Sequence, residues 1–120
     1  MNPGRNQDAL VTTGVRGQTI GSPRTFVYDP RLNGGLWDMS GGVVNLLLSD
    51  PQGNITTVPA TIDPAGFSAR ANWVIAAPEG YWTWAFSVQD AAMLAAGTPP
   101  NISLPLVFKA VYSPYSTFQG

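Results

Sequence analysis

Apolar and polar side chains alternate along most of the chain from Thr25 onward, with a period of two residues. Val44, Leu46 and Leu48 fall on one face of a predicted strand, and the residues between them fall on the other. The alternation returns in three later segments, residues 67–75, 82–88 and 104–112. This period is typical of strands with one buried face, so the pattern predicts antiparallel β-structure.

Short segments rich in Pro and Gly separate these predicted strands. Residues 50–53 and 63–66 each combine an Asp, a Pro and a Gly in an order that tight turns favour. Residues 55–62 form a weaker predicted strand, which Pro59 restricts to a sheet edge or a bulge because proline has no N–H to donate. Residues 90–97 hold good helix formers between a capping Asp and a terminating Gly, which predicts one or two helical turns.

Several short strands without long helical patterns predict an all-β fold, an antiparallel sandwich. The 120 residues suffice for one such domain. Residues 1–24 carry few apolar positions, and we predict an extended N-terminal arm there, which is either a frayed terminus or a segment ordered by another protein. Residues 25–113 are predicted to form the sandwich, and residues 114–120 a short C-terminal tail.

Composition narrows the chemistry of this domain. Only 11% of the residues are charged, with 6 Lys and Arg against 7 Asp and Glu, and the chain holds no His and no Cys. This excludes disulfides, zinc fingers and imidazole catalysis, and it leaves no basic field for nucleic acid or a membrane surface. No apolar run approaches the ~20 residues that span a bilayer. We therefore expect no cofactor, no metal site, no nucleic-acid partner and no membrane partner.

The acidic side chains do not indicate an active site. The sequence spreads them one per predicted loop instead of grouping them. Asp50, Asp63 and Asp90 occupy positions where a turn or a helix cap favours Asp. A serine or threonine nucleophile would lack a histidine base, and the single lysine, Lys109, falls in the outward register of a strand. We predict that the protein is not an enzyme, and a hydrolase using two loop carboxylates is the weakest hypothesis.

Apolar residues outside the regular strand pattern are candidates for contact with other proteins. The aromatic residues near the C-terminus lie among small polar residues, which favours packing on a neighbouring subunit; covering the open end of their own sandwich is the alternative. The predicted interface comprises Leu10, Val11, Val15, Ile20, Trp37, Tyr112, Tyr115 and Phe118. Trp37 and Tyr81 also allow a carbohydrate-binding module, in which exposed aromatic rings would hold a sugar.

Residues 28–53 combine three features in a fixed order: an apolar-Asp-apolar-Ser-Gly segment at 37–41, an alternating strand, and an Asp-Pro-x-Gly turn at 50–53. A glycine followed by aromatic residues starts a later strand at Gly80. Over residues 28–112 this pattern resembles the immunoglobulin-like domain of tailed-bacteriophage virion proteins, a family that includes the N-terminal domain of baseplate upper proteins. The resemblance implies an immunoglobulin-like sandwich that serves as a non-enzymatic building block of a phage particle.

Within that resemblance, the leading hypothesis is a capsid decoration or cement protein whose arms bind neighbouring shell subunits, for example by adding a strand to their sheets. The implied partners are the major capsid protein or other virion proteins, in a homo-oligomer or symmetric array that multiplies weak contacts. The implied location is the virion, after synthesis in the host cytoplasm. A tail, baseplate or fibre-attachment subunit is the alternative, and the carbohydrate-binding module is a more distant one.

Overall fold

The computed structural model describes residues 17–112, which form two β-sheets packed face to face. The strands are β1 (Gly17–Thr19), β2 (Pro23–Tyr28), β3 (Val43–Ser49), β4 (Ile55–Pro59), β5 (Thr61–Ile62), β6 (Ala69–Val74), β7 (Gly80–Gln89), β8 (Asn101–Ile102) and β9 (Leu106–Val111). A 3-10 helix (Pro30–Asn33) follows β2, and a short α-helix, α1 (Ala91–Ala96), follows β7. Within this part of the chain, neither helix has the length and apolar character needed to cross a membrane.

The larger sheet has the strand order β1-β9-β7-β3-β4, with β8 also paired to β7. Its strands are antiparallel except that β1 runs parallel to β9. The smaller sheet has the order β2-β6-β5 and is antiparallel throughout. The all-β fold and antiparallel sandwich predicted from the alternation are therefore confirmed.

The core lies between the two sheets and is built from every second strand residue. In β3 and β7 the inward positions are those that the alternation predicted, so these two predictions are confirmed. The centroid of the Phe108 ring lies 6.0, 6.3 and 6.0 Å from the ring centroids of Phe26, Trp73 and Trp82. The buried core comprises Phe26, Met39, Val44, Leu46, Leu48, Ala69, Ala71, Ile75, Trp82, Phe86, Val88, Phe108 and Ala110.

The predicted strand at residues 55–62 is divided between the two sheets. β4 ends at Pro59 and lies at the edge of the larger sheet, as the proline predicted. The N–H of Ala60 donates a hydrogen bond to the carbonyl of Val44 over 2.9 Å, and β5 then joins the smaller sheet. The proline therefore marks the point where the chain passes from one sheet to the other.

Two predicted strands begin later than the alternation suggested. β6 starts at Ala69, so Phe67 belongs to the preceding turn. The alternation predicts Leu104 on the buried face of the last strand, but β9 starts at Leu106 and Leu104 is 87% exposed. Pairing starts only after Pro105, because that residue has no N–H to donate. The expectation for Leu104 is wrong, and apolar spacing alone could not show it.

The sandwich begins earlier than the predicted boundary at residue 25. Residues 17–19 form β1, and β2 starts at Pro23 after a turn in which the N–H of Ser22 donates to the carbonyl of Thr19. The segment 17–24 of the predicted arm is thus part of the domain. The remaining arm, residues 1–16, lies outside the described residues, as do residue 113 and the predicted tail, residues 114–120.

Candidate protein-interaction site

The loop between β2 and β3, residues 29–42, is the longest connection within the described part of the chain. Connections longer than about 12 residues are uncommon in compact domains, which makes this loop a candidate for a function. At its start, Asp29 accepts hydrogen bonds from the backbone N–H of Arg31 and from its Nε over 3.0 and 2.9 Å. The Nη2 of Arg31 lies 2.8 Å from the second carboxylate oxygen, and this paired guanidinium lowers the pKa of Asp29.

Two side chains attach the later part of the loop to the body of the sandwich. The side chain of Met39 is fully buried, and its backbone N–H donates to the carbonyl of Gly66 over 2.7 Å. The indole Nε1 of Trp37 donates to Oδ2 of Asp90 over 2.8 Å. These contacts join the loop to the turn at residues 63–66 and to the start of α1.

The close fit of the loop depends on two glycines. A Cβ at Gly66, whose φ is +88°, would meet Oγ of Ser40 and Oδ1 of Asp38. A Cβ at Gly42 would meet the carbonyl oxygen of Gln89 and would lie 2.8 Å from the Cα of Asp90. Backbone and side chains therefore approach each other closely here because these positions lack a side chain.

Asp90 has two functions in holding this region together. Its Oδ1 accepts the backbone N–H of Met93 over 2.8 Å and so caps α1, while its Oδ2 holds Trp37. The hydrogen bonds from Met93 and Trp37 lower the pKa of Asp90, because they stabilise the ionised carboxylate. The predicted cap is confirmed, and Gly97 ends the helix with a φ of +70°, also as predicted.

This hydrogen bonding predicts an acid-dependent stability that Asp90→Asn removes. As the pH falls, the unfolded carboxyl, with a pKa of about 4, takes up a proton before the folded one does. The stabilisation is therefore fully present above that value and is lost as the pH falls through the lower folded pKa. We expect the stability difference between wild type and Asp90→Asn to be constant near neutrality and to shrink below about pH 4, measured by urea unfolding. A difference that stays constant into acid would contradict this assignment.

The other predicted turn carboxylates are also bound within their own turns. Asp50 accepts the backbone N–H groups of Gln52 and Asn54, and Asp63 accepts the N–H of Gly66. The prediction that these acids serve turn structure is confirmed. Among residues 17–112, no three acidic side chains come together in a group that could hold a metal ion.

The loop that is fixed in this way carries two of the most exposed leucines of the described residues. Leu32 is 81% exposed and Leu36 is 71% exposed. Leu94 of α1, at the same end of the sandwich, is 40% exposed. Apolar side chains held on an ordered scaffold bind a partner with a small ordering cost, so this end of the molecule has the features of a protein-binding surface. We call residues 29–42 the anchor loop.

The structure separates the residues that we predicted as an interface. Ile20 packs against the core, and Trp37 is half-buried and bound to Asp90. Tyr112 is 52% exposed and follows β9 at the opposite end of β7, roughly 30 Å from Asp90 at the rise per residue of a β-strand. The remaining predicted interface residues, Leu10, Val11, Val15, Tyr115 and Phe118, lie outside the described residues.

The two aromatic residues considered for sugar binding are also far apart. Tyr81 is 55% exposed at the start of β7, with Nζ of Lys109 5.4 Å from its ring centroid. Trp37 lies at the other end of that strand and packs against the core. The structure therefore does not bring the two rings together on one binding surface.

Sequence reasoning did not single out Leu32 and Leu36, although one signal was available. Both leucines lie in a segment that contains Pro30, Gly34 and Gly35 and that shows no alternation. Apolar residues in such a segment have no strand face to fill, which marks them as candidates for an exposed anchor.

Comparison with known proteins adds no family to this description. Searches against protein-family models and against curated proteins both found no match. The class of this protein therefore follows from its own fold, an all-β sandwich with an ordered, leucine-bearing loop at one end.

Proposed function

We propose that this protein is a non-enzymatic structural protein that works by binding other proteins. The observation that carries the proposal is the anchor loop, in which a bidentate ion pair, a buried Met39 and a bound Trp37 hold Leu32 and Leu36 out in solvent. These leucines lose contact with water when a partner covers them. The gain is about 25 cal/mol for each Å² of apolar surface.

The strand order supports an immunoglobulin-like form of the sandwich. In such domains one sheet contains strands B, E and D, and the other contains G, F and C, extended by C′ in the variable type. The order β2-β6-β5 and the order β9-β7-β3-β4 follow the same arrangement. The anchor loop then corresponds to the B–C connection, and the segment with α1 corresponds to the F–G connection, which are recognition loops in variable domains.

The more specific form of the proposal is a capsid decoration or cement protein. It is supported by the resemblance of residues 28–112 to phage virion domains and by the small number of charges, since contacts must then come from apolar groups and backbone. A tail, baseplate or fibre-attachment subunit is the alternative. Copy number separates the two, because a shell offers hundreds of equivalent sites and a tail only a few.

The experiment is co-sedimentation of the full chain with empty shells and with isolated tails of a phage that carries this gene. We expect wild type to bind shells, and we expect the double variant Leu32→Asp, Leu36→Asp to bind at least about tenfold more weakly, a loss of 1.4 kcal/mol or more. Leu104→Asp is the matched control, because Leu104 is equally exposed but lies outside the anchor loop.

A chain that lacks residues 1–16 shows how much of the shell binding comes from the predicted arm and how much from the anchor loop. The described sandwich begins only at Gly17, so this truncation leaves it complete. If this chain binds shells as wild type does, the arm makes no contribution and the anchor loop carries the binding alone. Binding to neither particle, or an equal loss in the Leu104→Asp control, would refute the proposed function.

A further inference from the structure

The outward surface of the larger sheet is unusual for a solvated sheet. Solvated faces of antiparallel sheets are normally polar, whereas several apolar residues point outward here and are exposed. Among the described residues whose side chains face this way, Lys109 is the one with a charge. We call this surface the outer face. Its positions are, strand by strand, residues 17 and 19 (β1); 43, 45, 47 and 49 (β3); 55, 57 and 59 (β4); 81, 83, 85, 87 and 89 (β7); 102 (β8); and 107, 109 and 111 (β9).

The exposed apolar residues of the outer face spread over four of its strands and β8. Their exposed fractions range from 41% for Val107 to 68% for Ile55. The smaller sheet also exposes two apolar residues, Val27 and Val74, but its outward positions carry the charged Arg70 and a hydrogen bond from Thr25 to Asn72 over 2.7 Å. The outer face is the larger of the two outward surfaces and exposes more apolar side chains; these are Val43, Ile55, Tyr81, Ile102 and Val107.

We infer that the outer face binds a second copy of the same chain, sheet on sheet, about a two-fold axis. The area of the face is sufficient for this contact. The five strands contain 31 residues, which at about 3.4 Å per residue and about 4.8 Å between strands give roughly 500 Å² of projected surface per copy. Two copies then bury about 1,000 Å², which reaches the ~1,000 Å² that separates a specific interface from a chance contact.

The centre of the face places a large and a small side chain side by side. Leu47 of β3 and Ala85 of β7 are directly opposite each other in the pairing register. Leu47 is partly exposed, whereas Ala85 carries only a methyl group and is 8% exposed. A two-fold axis between them places Leu47 of each copy over Ala85 of the other, which is the reciprocal contact that an isologous interface requires.

The position of Lys109, the charged residue of the outer face, also favours a second copy of the chain as the partner. Lys109 pairs with Gly17 of the edge strand β1, and its Nζ lies beside the ring of Tyr81 near one end of β7. It therefore stays at the rim of the contact, where water can still reach it. A second copy brings no unpaired charge to the centre, whereas a charged partner would find no counter-charge there.

This inference does not depend on the proposed function, and sedimentation velocity of the full chain tests it. We expect a concentration-dependent dimer for wild type. Val107→Glu buries two carboxylates in each dimer and should weaken association on the order of 100-fold. Val27→Glu is the matched control, because Val27 has a similar exposed fraction, 45%, on the outward surface of the smaller sheet. Ile55→Glu provides a second test at a position that is 68% exposed and so tolerates substitution.

Circular dichroism first confirms that each variant is folded. Dissociation by Val107→Glu or Ile55→Glu, with a normal dimer in Val27→Glu, supports the inference. A wild type that stays monomeric up to millimolar concentration would overturn it, and this is the result expected if residues 1–16 or the C-terminal tail cover the outer face instead. A dimer that neither outer-face variant weakens would overturn it as well.

Discussion

Alanine at Gly42 is expected to lower the free energy of unfolding by about 3 kcal/mol or more. The added methyl group would meet the carbonyl oxygen of Gln89 and the Cα of Asp90, and it would lie 3.0 Å from the carbonyl oxygen of Met39. All three are backbone atoms, so no side chain can rotate away to make room. The anchor loop must then separate from the end of β7, and the contacts of Met39 and Trp37 are lost with it.

Gly35→Ala is the matched control for this substitution. Gly35 lies in the same loop, and the nearest atom to its added Cβ, the carbonyl oxygen of Pro30, is 3.5 Å away, an ordinary contact distance. We expect its stability to stay within about 0.5 kcal/mol of wild type. Urea unfolding followed by tryptophan fluorescence measures both variants. Equal stabilities for the two would show that the loop is not fixed to β7 as the structure indicates.

Phe108→Ala is expected to cost about 4 kcal/mol of stability, a large part of the total for a domain of this size. The side chain is fully buried and packs between the rings of Phe26 and Trp82, which belong to different sheets. Its removal leaves a cavity at the centre of the contact between the sheets. Because these neighbours are rigid rings, they cannot collapse to fill the space.

The control for this core substitution is Leu104→Ala, four residues earlier in the chain. Leu104 is 87% exposed, so its truncation should change the stability by less than about 0.5 kcal/mol. Thermal unfolding by calorimetry compares the two variants with wild type. A cost below about 2 kcal/mol for Phe108→Ala would contradict the central position of this side chain.

The sandwich could be predicted from sequence because its strands have one buried face. Leu46 and Phe86 stand at positions where the period of two is regular on both sides, and each is buried as expected. Turn chemistry was equally informative, since Asp63 and Asp90 form the hydrogen bonds that their positions indicated. These features are local, so a short stretch of sequence contains the information that determines them.

The features that sequence reasoning missed depend on contacts between distant parts of the chain. β1 has only three residues, and it becomes a strand because β9 offers an unpaired edge. Trp37 is half-buried because Asp90, far along the chain, accepts its indole N–H. Leu32 and Leu36 lie in a segment without alternation, which the sequence shows, but the contacts that fix the rest of their loop come from residues distant in sequence, such as Gly66 and Asp90. No period or local motif specifies which distant group a side chain meets.

The parallel pairing of β1 with β9 has a consequence for biosynthesis. Gly17 pairs with Lys109, so the first and last strands of the described domain complete the same sheet. While the ribosome is still translating, β7 has a neighbour only on the β3 side, and β1 has none. Such distant pairings form slowly because a long loop must close first. The larger sheet can therefore be completed only after β9, which ends at Val111, has left the ribosome.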